Sequence, residues 1–224
     1  MRSGLSRYGV RRQMRVLHFY KTAVPDTMGG VEQVIDQIAR GVNDLGVKTD
    51  VLSLTRARVP RTIEIHGYSA HRARLHFEIA STGFSASAVL RFWQLARKAD
   101  VIHYHFPWPF MDLVHFLTRV KKPTVVTYHS DIIRQKTLLS LYRPLRNKFL
   151  DDVSRIVSTS PNYLDTSDVL AQHRQKVTVI PIGLDEKTYT LPSSAKLMYW
   201  GQRFGTKFFL FVGVMRYYKG LHIL

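Results

Sequence analysis

Histidine and aspartate side chains stand where two apolar, strand-like segments end. The run VIHYHF contains His103 and His105, and the later run VVTYHSD contains His129 and Asp131. In open parallel sheets, ligands bind in the crevice beyond the carboxyl ends of the strands. We therefore predict that His129 and Asp131 form a polar ligand site. His103 is better interpreted as a structural histidine.

A metal site built from His103, His105 and His129 is the less favoured alternative. Side chains along a strand point alternately to opposite faces, which argues against a shared ion. The chain contains no cysteine. Zinc–thiolate sites, iron–sulfur clusters, disulfide frameworks and cysteine nucleophiles are thereby excluded.

A glycine pair precedes the first helical segment. The strand-like run 14–20 leads through KTAVPDTMGG to Gly29 and Gly30, and apolar residues then recur at helical spacing over 31–45. Backbone amides at a helix N-terminus bind anions, and glycine lets a phosphate approach closely. Neither the dinucleotide nor the P-loop fingerprint is present. A flexible loop with a glycine N-cap is therefore an equally good interpretation.

Two basic residues follow the last strand-like run, KFFLFVGV. A turn at Gly213 and then Arg216 and Lys219, ahead of a helix, suit a pyrophosphate, because charge-assisted hydrogen bonds to phosphate are strong. Basic residues that fall here by chance in a basic chain are the alternative.

Strand-like and helical segments alternate along the chain. This order, with apolar runs buried on both sides, predicts an α/β fold in which helices cover both faces of a parallel sheet. The predicted strands are 14–20, 47–54, 62–80 (as strand or hairpin), 101–106, 123–129, 155–160, 176–182 and 207–214. The predicted helices are 31–45, 85–98, 110–120, about 131–154 with a kink or a new start at Pro144, and a short one beginning at Pro161.

The chain of 224 residues divides into three predicted parts. Residues 1–13 are arginine-rich and read as a disordered leader. Residues 14–195 form a complete domain. After a break near 190–206, residues 207–224 supply the first strand and helix start of a second domain that the sequence does not complete.

Charge favours anionic partners. Lys and Arg number 33 against 16 Asp and Glu, a net charge of +17. Nucleic acid, phosphorylated substrates and acidic lipids all fit such a surface. No helix-turn-helix, RNP or zinc motif supports specific nucleic-acid binding. The basic helix over 134–153 suits an anionic membrane surface, although a core-facing helix with a solvated basic side is the favoured reading.

Six segments, taken in order, resemble the GT4 family of retaining glycosyltransferases, which has the GT-B fold. They are MRVLHFYKT…GGVEQ, DVIHYHFP, VVTYHSD, STSPNY, VIPIGLD and FVGVMRYYKGLHIL, and together they extend from Met14 to Leu224. The resemblance implies two Rossmann-like domains with the active site between them. Residues 14–195 would be the acceptor-side domain, and the donor-nucleotide domain would be truncated.

The resemblance also implies roles on the donor side. Gly29 and Gly30 would lie beside the donor diphosphate. Arg216 and Lys219 would bind that diphosphate as the family's basic pair. Many members have arginine where this chain has Val214, which leaves the charge to Arg216.

On the sugar side, the resemblance implies that His129 is the active-site histidine near the transferred sugar. His105, Tyr128 and Asp131 are candidate contacts of the acceptor or the sugar.

The implied reaction moves a hexose, with mannose favoured, from GDP-mannose or a UDP-hexose. The acceptor would be a glycan or a polyprenyl-diphosphate-linked glycan of a surface polysaccharide such as lipopolysaccharide. No metal or other cofactor is expected, because the sequence has no DxD motif. The location would be cytoplasmic, peripheral at the inner face of the membrane.

One feature limits this expectation. The family's paired glutamates, E-x7-E, lie further along the donor domain and are absent from these residues, so we expect the chain alone to be inactive. The alternative function is a non-catalytic module that binds a membrane lipid or a glycan.

Overall fold

The computed structural model describes residues 12–58, 60–132, 136–185, 191–205, 207–213 and 223. The chain forms two compact units, residues 1–183 and residues 184–224. The first unit contains the sheet and the candidate site. The predicted domain limits remain predictions.

The first unit is built on a mostly parallel sheet. Its strand order is β10-β9-β8-β7-β1-β2-β4-β3, and every neighbouring pair is parallel except β3 and β4. A separate antiparallel hairpin pairs β5 with β6. The described strands are β1 (Arg15–Phe19), β2 (Lys48–Thr55), β3 (Thr62–Ile65), β4 (Tyr68–Arg74), β5 (Phe77–Ile79), β6 (Thr82–Phe84), β7 (Val101–Phe106), β8 (Thr124–Tyr128), β9 (Arg155–Ser158) and β10 (Val177–Val179).

Helices connect β1 to β2 and each successive pair of strands from β6 to β10. In the sheet, β1 lies between β2 on one side and β7 on the other. The described helices are α1 (Gly30–Asp44), α2 (Ala86–Ala96), α3 (Pro109–Leu117), α4 (Lys136–Asp152), α5 (Pro161–Thr166), α6 (Asp168–Gln172) and α7 (Ser194–Phe204), with a 3₁₀ turn at Arg174–Lys176. None of these described helices is both long and apolar enough to cross a membrane.

The core lies against one face of the central strands. Phe19 of β1 packs on Phe92 of α2 and on Trp108, with ring centroids 4.7 and 4.8 Å apart. Phe106 stacks on Tyr128 at 4.4 Å. All five rings are buried. Burial of such aromatic surface is the main favourable contribution to folding here.

A single helix, α4, runs through Pro144. The sequence predicted a kink or a second helix at this proline, because proline removes one backbone hydrogen bond. No second helix begins there. The C-terminal turn of α4 is held by tertiary packing, since Phe149 and Leu150 are fully buried.

The second unit departs from prediction in two places. Helix α7 occupies the break expected over 190–206, and its first turn is capped by Ser193, whose Oγ accepts from the Lys196 N–H at 3.4 Å. The strand predicted over 207–214 is wrong for its described part, because residues 207–213 form no strand. A strand exists only where a neighbour pairs with its backbone groups, and none of the described strands does so. Residues 191–205 and 207–213 are all exposed.

Candidate functional site

The carboxyl ends of β1, β7 and β8 meet at one edge of the sheet. β7 lies between the other two strands and is parallel to both. His129 follows β8 directly, and its backbone N–H donates to the Phe106 carbonyl at 3.1 Å. Helix α1 begins at Gly30, after the loop that leaves β1. This edge is the one on which the sequence placed the site.

Three imidazoles form a hydrogen-bonded series across these strands. His18 Nδ1 lies 3.0 Å from His105 Nε2, and His105 Nδ1 lies 3.1 Å from His129 Nε2. The His103 ring centroid lies 4.6 Å from those of both His18 and His105, and the ring is tilted by 34° to His18 and stacked on His105. Its Nε2 is bonded to Thr127 Oγ1 at 2.8 Å and lies outside the series.

Burial keeps these rings neutral. Desolvation lowers the pKa of His129 to about 4, although the charge of Glu32 opposes that shift. Desolvation and the neighbouring His129 lower the pKa of His103 to about 4. The pKa values of His18 and His105 lie well below the usual range for the same reason, burial with histidine neighbours. Neutral imidazole carries one donor and one acceptor nitrogen, so each ring can form one bond of each kind.

The alternation argument used against a shared histidine site is wrong. His103 and His105 are two residues apart on one strand, so both side chains point to the same face. His18 pairs with His103 across β1 and β7, which brings a third ring to that face. Sequence reasoning missed His18, although its spacing from the end of β1 was a usable signal.

Among the described residues, His18, His103 and His105 have ligand atoms within 4.8 Å of one another, an arrangement that can hold a metal ion. The set differs from the one considered at the sequence level, with His18 in place of His129. The nitrogens of His18 and His105 that face each other are at hydrogen-bond distance, and the second nitrogen of His105 is bonded to His129.

The glycine pair lies at the start of α1. Gly29 is the N-cap residue, and no side chain caps the helix from that position. A Cβ at Gly29 would meet Glu32 Oε2 at 2.5 Å, whereas a Cβ at Gly30 would meet nothing within 4 Å. Glu32 also accepts from Thr27 Oγ1 at 3.1 Å. A carboxylate of the chain itself therefore lies at the helix N-terminus, where anions are stabilised.

Glu32 connects this helix start to the histidines. Its charge raises the pKa of Tyr20 in the same direction as burial does, and it also acts on His129. The Gly29–Gly30 turn follows β1 and His129 follows β8, so both lie beyond strand ends at the same edge of the sheet. Their contact with a donor diphosphate and a sugar stays a prediction.

Asp131 holds the segment after β8 in place. Its carboxylate accepts from Tyr128 at 2.7 Å, from Tyr163 at 2.9 Å and from Ser167 at 3.1 Å. Tyr128 is fully buried, as is His105. Their predicted contact with acceptor or sugar remains untested, and in this arrangement His105 reaches the site through His129.

An apolar groove adjoins this edge. It has a volume of about 430 Å³ and is lined by the β5–β6 hairpin, the start of α3 and one face of α4. Leu138, Leu141 and Ile79 remain exposed there, at 48%, 81% and 58%. Tyr142, at the groove, donates to the buried carboxyl of Asp112.

A second cavity of about 380 Å³ shares Ile132 and Leu139 with the groove. Arg143 and Arg146 line it together with Asp131 and Asp168. Arg146 is 7% exposed, and its guanidinium donates to Asn147 Oδ1 at 2.8 and 3.0 Å. No carboxylate within 4 Å pairs with Arg146 in the part of the chain that the structure describes.

Arg216 and Lys219 lie outside the described residues. Their predicted role at the diphosphate stays a prediction.

In open α/β sheets, ligands bind in the crevice beyond the carboxyl ends of the strands, which is where the polar groups of this candidate site lie. The sequence profile of Glycosyltransferase Family 4 matches residues 28–188, which is most of the chain. The chain belongs to this family.

Two curated relatives are similar over 94% of the chain. A D-rhamnosyltransferase from Pseudomonas aeruginosa is 57% identical over 211 residues, and an O-antigen chain mannosyltransferase C from Escherichia coli is 46% identical over 211 residues. The chain covers 55% of the first and 57% of the second, so it spans about half the length of these relatives.

Solved structures agree on the fold. Sucrose-phosphate synthase from Thermosynechococcus elongatus matches with a TM-score of 0.59 at 15% identity, over 84% of this chain and 52% of that one. The Anabaena protein HepE, solved in complex with UDP-glucose, matches with a TM-score of 0.55 at 18% identity, over 86% of this chain and 50% of that one. These neighbours are GT-B glycosyltransferases, and the predicted fold class is confirmed.

Proposed function

We propose that this chain forms the acceptor-side part of a retaining glycosyltransferase that builds a surface polysaccharide. The donor is a nucleotide sugar carrying D-rhamnose or D-mannose. The two relatives are named for these sugars, which differ only in the hydroxyl at C6. Activity would need a donor-nucleotide half that these residues do not supply, so the chain alone would be inactive.

The observation that carries the proposal is the convergence of His129 and the start of α1 at one sheet edge. Cleavage of the sugar–phosphate bond leaves a nucleoside diphosphate, and negative charge grows on its leaving oxygen. Backbone amides at Gly29 and Gly30 would stabilise that charge, with Arg216 and Lys219 contributing from outside the described residues. His129 would donate a hydrogen bond to the transferred sugar.

The anomeric configuration is retained because the acceptor attacks the sugar from the face that the phosphate leaves. The acceptor oxygen would form the new bond to the anomeric carbon as the phosphate leaves. Its proton would pass to the leaving phosphate oxygen, so no protein base is needed. Two described carboxylates at this edge are engaged, Glu32 with Thr27 and Asp131 with three hydroxyls.

The acceptor would be a polyprenyl-diphosphate-linked glycan. The apolar groove and the cavity at Arg146 share Ile132 and Leu139, so a molecule with an apolar chain and an anionic head could occupy both. Arg146 has no carboxylate within 4 Å among the described residues, although its charge acts on the buried carboxyl of Asp112, and a bound phosphate would place an anion directly beside the guanidinium. We place the protein at the cytoplasmic face of the membrane, where basic surfaces meet anionic lipids.

The transfer reaction is tested with a chimera. Residues 1–183 are joined to the remaining half of the Pseudomonas relative, and GDP-rhamnose, GDP-mannose and UDP-glucose are each offered with a polyprenyl-diphosphate-linked acceptor. Mass spectrometry of the acceptor should reveal one added deoxyhexose or hexose. A folded chimera that binds a donor yet adds no sugar to any acceptor contradicts the proposal.

The acceptor site is tested on the 224-residue chain itself. Farnesyl diphosphate, as the probe, should bind more tightly to the wild type than to Arg146→Gln in a calorimetric titration. Arg155→Gln is the matched control, because Arg155 is exposed and its guanidinium donates to the neighbouring Ser154 carbonyl. Equal affinities for all three proteins would remove Arg146 from the acceptor site.

A non-catalytic module that binds a membrane lipid or a glycan is the second candidate, favoured by the same groove. It predicts farnesyl diphosphate binding by the chain and no sugar transfer by the chimera.

A further inference from the structure

We propose that His105 and His18 are positioning residues that fix His129 as its Nδ1–H tautomer, so that His129 presents a hydrogen-bond donor at the sheet edge. This proposal rests on the proposed function, because that function places His129 beside the transferred sugar. It goes beyond that function because His18 and His105 reach no ligand themselves: both are almost completely buried.

The series of bonds forces the three rings to agree. A neutral imidazole donates from one nitrogen and accepts at the other. His105 is bonded through both nitrogens, to His18 at 3.0 Å and to His129 at 3.1 Å. If His105 donates to His129, it must accept from His18. All three rings are then protonated at Nδ1. In the opposite order, His129 donates to His105 and His105 donates to His18, so all three rings are protonated at Nε2.

Charge decides between the two orders. The outer nitrogen of His129 is Nδ1, since Nε2 is bonded to His105. Because Nε2 is engaged with the buried His105, Nδ1 is the nitrogen left for groups at the sheet edge, and a negative charge there, such as that of Glu32, favours an N–H at the outer end of the series. A leaving phosphate would favour the same order. The rings are neutral at pH 7, so the donor at His129 is an imidazole N–H rather than an imidazolium.

Two described rings that pack against the series, those of Tyr20 and His103, do so without using its nitrogens. Tyr20 meets His105 edge-on at 6.2 Å between ring centroids. His103 packs against two of the rings but bonds to Thr127. His103 is therefore a natural control: it shares the burial and the stacking and lies outside the hydrogen-bonded series.

Nuclear magnetic resonance of the ¹⁵N-labelled 224-residue chain tests this assignment. Long-range ¹H–¹⁵N imidazole correlations at pH 7 should show His18, His105 and His129 protonated at Nδ1. Histidine in water prefers Nε2–H, so three Nδ1–H rings would be a distinctive signature. Nε2–H at His129 in the wild type overturns the proposal.

Two substitutions at His105 separate positioning from packing. His105→Asn places an amide N–H near the old Nδ1 position and should keep His129 in its Nδ1–H form. His105→Gln places the amide near the old Nε2 position, towards His18, and should shift His129 to Nε2–H. The control His103→Gln should leave the His129 tautomer unchanged. An unchanged tautomer in His105→Gln contradicts the proposal.

If His105→Gln does not fold, the pair His18→Asn and His18→Leu gives the same contrast one ring further away. Titration with Zn²⁺ tests the alternative that these histidines bind a metal ion. Stoichiometric binding that changes the imidazole resonances of His18, His103 and His105 together would replace the proposal with a metal site. The tautomers are measured without substrate. A negative result here therefore leaves sugar transfer standing, and a failed transfer assay leaves the tautomers standing.

Discussion

The two faces of the central strands β1 and β7 carry opposite kinds of side chain. On one face, Leu17, Phe19 and Phe106 are fully buried among aromatic rings. On the other face, His18 and His105 are almost equally buried, yet they meet polar nitrogen atoms. The same backbone therefore supports a hydrophobic core on one side and a hydrogen-bonded imidazole cluster on the other.

Burial therefore places different requirements on the side chains of the two faces of one sheet. The aromatic face needs side chains of suitable size and shape, because dispersion and the hydrophobic effect are not directional. The histidine face needs each buried nitrogen to be paired, because an unpaired buried polar group is costly. Substitutions on the aromatic face should therefore change stability most, and those on the histidine face should change chemistry and pH dependence.

The largest expected effect is on the aromatic face. Phe19→Ala should lower the free energy of unfolding by about 3–5 kcal/mol, because it removes a buried ring and leaves a cavity beside Phe92 and Trp108. Urea denaturation at pH 7 measures the loss. Phe77→Ala is the control, since Phe77 is 55% exposed and should cost much less. Similar losses in both variants would refute the contrast.

On the histidine face, His129→Ala should leave the fold intact and lower turnover of the active transferase by about 100-fold, the usual cost of losing one donor to a transition state. Steady-state kinetics measures the turnover, and circular dichroism checks that the fold is intact. His76→Ala, at an exposed histidine away from the series, is the control. Near wild-type turnover in His129→Ala would remove this residue from the active site.

The next effect is on the pH dependence of stability. The pKa of His103 is lowered to about 4 in the folded chain, against about 6.5 when unfolded, so the unfolded state binds more protons between these values. Stability from the neutral ring is complete above pH 6.5 and is lost as the pH falls towards 4. His18, His105 and His129 act in the same direction.

Urea unfolding at pH 7 and pH 5 should therefore show a loss, to which His103 contributes about 1–2 kcal/mol. In His103→Gln the loss should shrink by that amount, since glutamine does not titrate. An identical loss in the variant would mean that burial of His103 does not set its protonation.

The smallest effect concerns the start of α1. Gly30→Ala should change stability by no more than about 0.5 kcal/mol, because a Cβ there meets nothing within 4 Å. It should still weaken donor binding a few-fold by crowding the phosphate. Gly41→Ala, also in open space but within α1, should stabilise the helix without affecting the donor. Equal donor affinity in both variants would argue against phosphate at Gly30.

Local patterns predicted much of this molecule. Helical spacing over 31–45 predicted α1, and the apolar run 101–106 predicted β7 with matching bounds. The fold class followed from the alternation of strands and helices and from the family resemblance. The predicted edge with His129 and Asp131 follows from the same rule, because parallel strands end together. Segment 207–213 was mispredicted because an apolar run forms a strand only when a neighbour pairs with it.

By itself the sequence determined the alternation of residue types along β1 and β7, and hence that two histidines two residues apart share one face. It also determined the glycine pair, the family and the strand ends that carry the candidate site. Only the tertiary structure decided that His18 joins His105 and His129, that Glu32 lies over Gly29, and that Arg146 lacks a carboxylate partner among the described residues. These contacts join residues on different elements, and their geometry depends on strand order and register, which no local pattern encodes.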